Sequence, residues 1–318
     1  MGLLDRLKKP KPAGPQVKKW VTRPEDMPWF DQANAEQVLE KRRAERNYTD
    51  REFEMLRQWV RDGYHVVDNV VDMKLIDGMV QDIENLWTTS DGIPGLVLHD
   101  LRLTDGPEVT HNVPHVDLVK HSAEQRQEIK KRSHWRCSEF FKYSKNCAEI
   151  RLNPELERLI SLIMDRPTPP EYTVNFMWGS RQALHQDGAV FHLHPPNYLC
   201  GVWLACEDIS PDSGPLVYYP GSHRSQFFPK FDNYPQTNLH CCPKEQMQEY
   251  ADFMEQQAKN YERHQFVAKK GQVLLWHAML IHGGDTVRRP ELTRHSYVCH
   301  YVPPGMKKDD EVVGPFNW

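Results

Sequence analysis

No stretch of the chain approaches the roughly 20 apolar residues that a helix needs to cross a bilayer. The N-terminus also lacks the hydrophobic core of a secretory signal, so a soluble protein is expected. Paired cysteines are missing as well. The seven present, Cys137, Cys147, Cys200, Cys206, Cys241, Cys242 and Cys299, are scattered, odd in number and without a repeated C-x-x-C spacing. That speaks against a disulfide framework and a thiolate zinc site, and a reducing compartment, most simply the cytoplasm, fits. Nor is one sign of charge in excess: 40 Lys and Arg face 44 Asp and Glu, which gives no sign of a nucleic-acid binder. Solenoid repeats and low-complexity tracts are absent.

What is present divides the chain by texture. Residues 1–24 are basic, with Lys8, Lys9, Lys11, Lys18 and Lys19 among three prolines, and read as a solvated tail. Leu3, Leu4 and Leu7 offer the alternative of a weak membrane-surface contact. Residues 25–318 read as a single domain. Its first part, 25–170, is a helical layer: a helix within 31–47, a capping box at Thr49 and Glu52, a short strand at 64–67, and a stripe of Leu75, Ile76, Met79, Ile83 and Leu86. Another helix is expected after Asn153-Pro154. Residues 89–148 show turn signals without a period and are expected to form irregular substrate loops. From 171 to 303 the texture is β, with strands expected at 172–178, 185–191, 199–206, 215–219, 273–277 and 295–302 and one helix across the sheet at 243–263. This is the pattern of a sandwich or barrel.

Chemistry concentrates around His185-Gln186-Asp187. On a strand, His185 and Asp187 would share a face and could grip one metal ion. A second histidine from far along the chain would complete two imidazoles and a carboxylate, the facial set of non-haem Fe(II) oxygenases. His277 and His282 compete for that place. His277 lies in an apolar run and reads as a core histidine, whereas His282 precedes Gly283-Gly284, where backbone can approach a ligand, and is preferred. Arg294 and Ser296 would share a strand face suited to a carboxylate. Phe191, His192 and His194 are candidate substrate contacts.

His185-Gln186-Asp187, the turn from Asp212-Ser213-Gly214-Pro215 to Pro220-Gly221-Ser222-His223-Arg224, and Trp276-His277 with Ile281-His282-Gly283 together resemble the phytanoyl-CoA dioxygenase family of Fe(II)/2-oxoglutarate oxygenases. Asp62-Gly63-Tyr64-His65-Val66-Val67 is similar to the family's N-terminal pattern. The resemblance implies a mainly β fold, a double-stranded β-helix or cupin-like jelly roll with flanking helices. It implies that His185, Asp187 and His282 bind iron and that Arg294 holds the far carboxylate of 2-oxoglutarate. Trp203 would line the cosubstrate pocket, with Thr173 and Asn175 on a contributing strand. The implied reaction uses O2 to hydroxylate a small or lipid-like molecule and releases succinate and CO2. Family-like halogenases lack the carboxylate, so Asp187 favours hydroxylation. A non-catalytic jelly-roll binder and a metal-assisted isomerase or hydrolase on the same barrel remain as alternatives.

Overall fold

The computed structural model describes residues 23–106, 109–191, 193–230 and 243–308. The basic tail up to residue 22, His192, Cys241 and Cys242 lie outside them. Helices are α1 (Ala35–Glu45), α2 (Asp50–Asp62), α3 (Met73–Asn85), α4 (His115–Leu118), α5 (Ala123–Arg132), α6 (Lys145–Arg151), α7 (Pro154–Met164) and α8 (Lys244–Ala258). Strands are β1 (Tyr64–Val67), β2 (Val97–Leu101), β3 (His111–Pro114), β4 (Arg136–Ser138), β5 (Pro170–Phe176), β6 (Leu193–His194), β7 (Cys200–Ala205), β8 (Leu216–Tyr218), β9 (His264–Gln265), β10 (Val273–His277), β11 (His282–Gly284), β12 (Ser296–Tyr301) and β13 (Lys307–Lys308). None of the described helices is long and apolar enough to cross a membrane.

Local chemistry sets the helix ends. The Thr49 hydroxyl accepts the Glu52 N–H while Glu52 accepts the Thr49 N–H, so the capping box opens α2. Gly63 ends it in the left-handed region at φ 73°. Asn153 caps α7 through the N–H groups of Glu155 and Leu156, with Pro154 in the first turn.

One eight-stranded antiparallel sheet runs β1-β10-β7-β12-β5-β4-β2-β3, and a three-stranded sheet runs β11-β8-β9. The two sheets form a jelly-roll sandwich and do not close into a continuous barrel. Alternation along the strands divides the large sheet into two apolar faces. Val174, Trp203, Ala205, Leu274, Trp276 and Val298 face inward and pack with Leu216, Tyr218 and Phe266. Val202, Leu204, Leu275, Tyr297 and Cys299 face outward and pack under the helices against Trp59, Ile76, Met79 and Ile160. Burying one such large side chain stabilises by about 1.5–3 kcal/mol, more than the roughly 0.5–1.5 kcal/mol of a single ladder hydrogen bond, so side-chain packing dominates. Cys137, Cys147, Cys200, Cys206 and Cys299 are all buried free thiols in the helix-side core.

Two expectations need correcting. Residues 185–191 are not a strand: only His185 pairs, in an isolated bridge to His282, and a 3-10 turn follows at Asp187–Ala189. The Asp187 carbonyl accepts the N–H groups of both Val190 and Phe191, and the Gly188 N–H is taken by Ala278. Asp-Gly favours such turns over strand. Residues 89–148 are not one irregular loop either, because β2, β3 and β4 extend the large sheet and α4, α5 and α6 cover it. The basic run Lys130, Lys131 and Arg132 forms the last turn of α5, where positive charge suits the helix C-terminus.

Candidate metal centre

His185 and His282 face one another across their backbone bridge, with ring centroids 4.4 Å apart. Each ring's Nδ1 lies against a backbone carbonyl two residues earlier, Ala183 at 2.8 Å and Leu280 at 2.9 Å. A carbonyl only accepts, so both Nδ1 atoms carry the proton and both Nε2 lone pairs are left for a metal. Asp187 Oδ1 lies 3.7 Å from His185 Nε2 and 3.6 Å from His282 Nε2. These three residues are the one group of three or more His, Cys, Asp or Glu with metal-ligand proximity among the described residues.

The intervening Gln186 points the other way and fixes the segment. Its amide donates to Ser225 Oγ and the Met279 carbonyl, and its N–H donates to the Tyr250 hydroxyl of α8. His277 faces outward, donates through Nε2 toward Asp31 at 3.1 Å and accepts the Met279 N–H at Nδ1. Its position in the core agrees with the structural reading of this histidine.

Burial alone would raise the Asp187 carboxyl, but the imidazoles of His282, His300 and His185 hold it well below the usual carboxylate range. Burial and the neighbouring His185 push His282 down to about 4. At neutral pH the set is one carboxylate and a neutral His282 imidazole, the form that binds a divalent cation.

Arg294 is only 2% exposed, and burial lowers its guanidinium to about 10. Nη1 donates to the Gly214 carbonyl at 3.3 Å, and Nε has no partner. Ser296 Oγ and Trp203 Nε1 are also buried without partners. The Arg294 Cζ lies 5.7 Å from the Trp203 ring and 5.8 Å from that of Phe176. A buried cation with adjacent orphan donors and, among the described residues, no carboxylate partner fits an anionic carboxylate ligand.

Thr173 and Asn175 belong to the other face. The Thr173 N–H and hydroxyl turn to Glu139, and Asn175 donates to Met79 Sδ under the helices. Their inward neighbours are Tyr172, Val174 and Phe176, so the pocket role expected of Thr173 and Asn175 is corrected. Phe191 does lie at the centre, its ring 4.4 Å from His300 and 6.1 Å from Tyr172. His194 pairs with Lys307 in the small β6-β13 ladder. Two inward residues were given no site role from the sequence: His300, 3.3 Å from Asp187 Oδ2, and Trp276, which donates its indole N–H to the same oxygen at 2.8 Å. Continuing the Arg294, Ser296 alternation along β12 by two more steps reaches His300.

Two histidines and one carboxylate close enough to share an ion, set in a jelly roll, form the ligand arrangement found in non-haem iron oxygenases. Residues 59–296 match the phytanoyl-CoA dioxygenase (PhyH) family. The chain belongs to that family. It is 30% identical over 149 residues to the human peroxisomal phytanoyl-CoA dioxygenase, a match covering 42% of this chain and 40% of the relative. For the bovine enzyme the shared region is 65% of the relative, so the chain spans less than two thirds of either. Among solved structures it is similar to the non-heme alpha ketoglutarate dependent carbocyclase SnoK, with TM-score 0.56 at 12% identity over 82% of this chain and 86% of the other. It is also similar to EctD from S. alaskensis with 2-oxoglutarate and 5-hydroxyectoine, with TM-score 0.53 at 14% identity over 93% and 85%.

Proposed function

We propose that this protein is an Fe(II)- and 2-oxoglutarate-dependent dioxygenase that hydroxylates a small or lipid-like molecule with release of succinate and CO2. The observation that carries the reading is the buried, carboxylate-free Arg294 on the strand register that also brings His300 to Asp187. His185, Asp187 and His282 would hold the iron, and Arg294 with Ser296 would take the far carboxylate of 2-oxoglutarate. The Trp203 indole walls that end of the interior and keeps water from the guanidinium. Bound iron and cosubstrate would supply the oxidising chemistry; the protein supplies orientation and a dry cavity. Phe191 and Tyr172, next to His300, border the space a substrate would enter, and their aromatic surface suits an apolar portion. The resemblance of EctD, whose structure holds 2-oxoglutarate, supports the choice of cosubstrate.

The test is anaerobic addition of Fe(II) and 2-oxoglutarate, followed by oxygen. A weak visible charge-transfer band and conversion of 2-oxoglutarate to succinate are expected, with oxygen uptake dependent on 2-oxoglutarate. Wild-type protein that gives neither band nor succinate overturns the proposal.

A further inference from the structure

The two oxygens of Asp187 have different surroundings. Oδ1 faces both histidine Nε2 atoms, at 3.6 and 3.7 Å. Oδ2 accepts the Trp276 indole N–H at 2.8 Å and lies 3.3 Å from His300 Nε2. A carboxylate free to rotate could present both oxygens to one ion and occupy an additional coordination position. We propose that Trp276 and His300 are positioning residues that clamp Oδ2, so that Asp187 meets the ion through Oδ1 alone.

The clamp is built into the sheet. Trp276 sits on β10 directly opposite Gly201 of β7, and a Cβ at Gly201 would meet the indole Cε2 at 2.0 Å. Glycine there lets the ring lie against the neighbouring backbone, which fixes where its N–H points. The indole N–H only donates, and the acceptor it meets here is Asp187 Oδ2. Its ring also lies 5.1 Å from that of His282, so one side chain supports two of the three ligands. His300 approaches from β12 and packs against the Phe191 and Tyr172 pair, 4.4 Å from the first ring and 6.4 Å from the second. Through it, the same carboxylate oxygen touches the aromatic wall of the interior. Partners of this kind orient ligands and raise metal affinity. A plain core tryptophan would contribute packing alone.

The inference rests on the iron reading, and the experiment separates the two. Co(II) is titrated into the metal-free wild type and into Trp276→Phe, His300→Leu and His300→Gln, with calorimetry for affinity, visible absorption for coordination and thermal melting without metal. Trp276→Phe keeps an aromatic ring and loses the donor; it is expected to weaken Co(II) binding about 10- to 100-fold and to change the visible spectrum. His300→Leu is expected to weaken binding, and His300→Gln, which restores a donor, to recover most of it. Should Trp276→Phe fail to fold, the His300 pair decides. Folded variants that melt lower but bind Co(II) with wild-type affinity and spectrum overturn the clamp. Wild-type protein that binds no Co(II) overturns the iron reading and the clamp together.

Discussion

His185 and His282 exchange both of their backbone hydrogen bonds, at 2.9 and 3.0 Å, in a single antiparallel bridge. Two candidate metal ligands are therefore spaced by the main chain, with only ring rotation left to the Nδ1 contacts. Asp187, one residue past Gln186, needs only a turn to bring Oδ1 between them.

Asp187→Ala removes the one anionic ligand and leaves this bridge intact. Metal affinity is expected to fall by at least about 100-fold, since loss of an outer-shell partner alone reaches 10- to 100-fold. Calorimetry with Co(II) measures it, with circular dichroism reporting the unchanged fold.

Arg294→Gln is expected to raise the KM for 2-oxoglutarate by roughly 30- to 150-fold, the equivalent of about 2–3 kcal/mol for lost charge-assisted hydrogen bonds. Metal binding should be retained. Arg294→Met tests the cost of the unpaired charge: without cosubstrate, its melting temperature should equal or exceed the wild-type value. A marked loss of stability would instead show that the guanidinium is a structural strut.

Stability of the metal-free protein should decline on mild acidification through His223. Burial and then the neighbouring His277 push His223 from 6.5 down to about 3, with Arg224 acting the same way and Asp31 against it. The unfolded chain therefore binds the proton first. The contribution is fully present above pH 6.5 and is lost as pH falls toward 3, roughly 2 kcal/mol of it by pH 5. Urea denaturation at pH 7.5, 6 and 5 in chelator measures the slope; His282, held down to about 4, adds to it in the same window, so His223→Gln should reduce the slope by about half.

Gly63→Ala probes the end of α2. Gly63 holds φ 73°, and a Cβ there would meet His223 Nδ1 at 2.5 Å. Strain and contact together are expected to cost more than about 1 kcal/mol. Thr49→Ala, at the other end of the same helix, should cost about 1 kcal/mol through the lost cap. Chemical denaturation compares the two.

The capping box at Thr49, the cap at Asn153 and the strand at 273–277 were legible because each rests on a local rule. The different surroundings of His282 and His277 were legible too, since glycines marked one and apolar neighbours the other. The face of β5 was not. Polar Glu171, Thr173 and Asn175 do alternate there with apolar Tyr172, Val174 and Phe176, but in the second half of the strand both sides are buried or half-buried, so the alternation alone did not say which side meets the site. The same double burial hid His300 among Val298, Cys299 and Tyr301. Between 89 and 148 the strands are short, and pairing across the sheet, which no local window contains, gives them their form.

The five described cysteines all lie in the helix-side core, across the large sheet from the iron-ligand candidates. Burial pushes the thiols of Cys137 and Cys299 up to about 12 and raises those of Cys147, Cys200 and Cys206 as well. Thiolate, the readily oxidised form, is therefore scarce at physiological pH. The sheet is thus a chemical firewall for the proposed reaction: an oxidant formed in the interior would meet aromatic rings and imidazoles before sulfur in these cysteines, and the architecture would suppress self-inactivation through them.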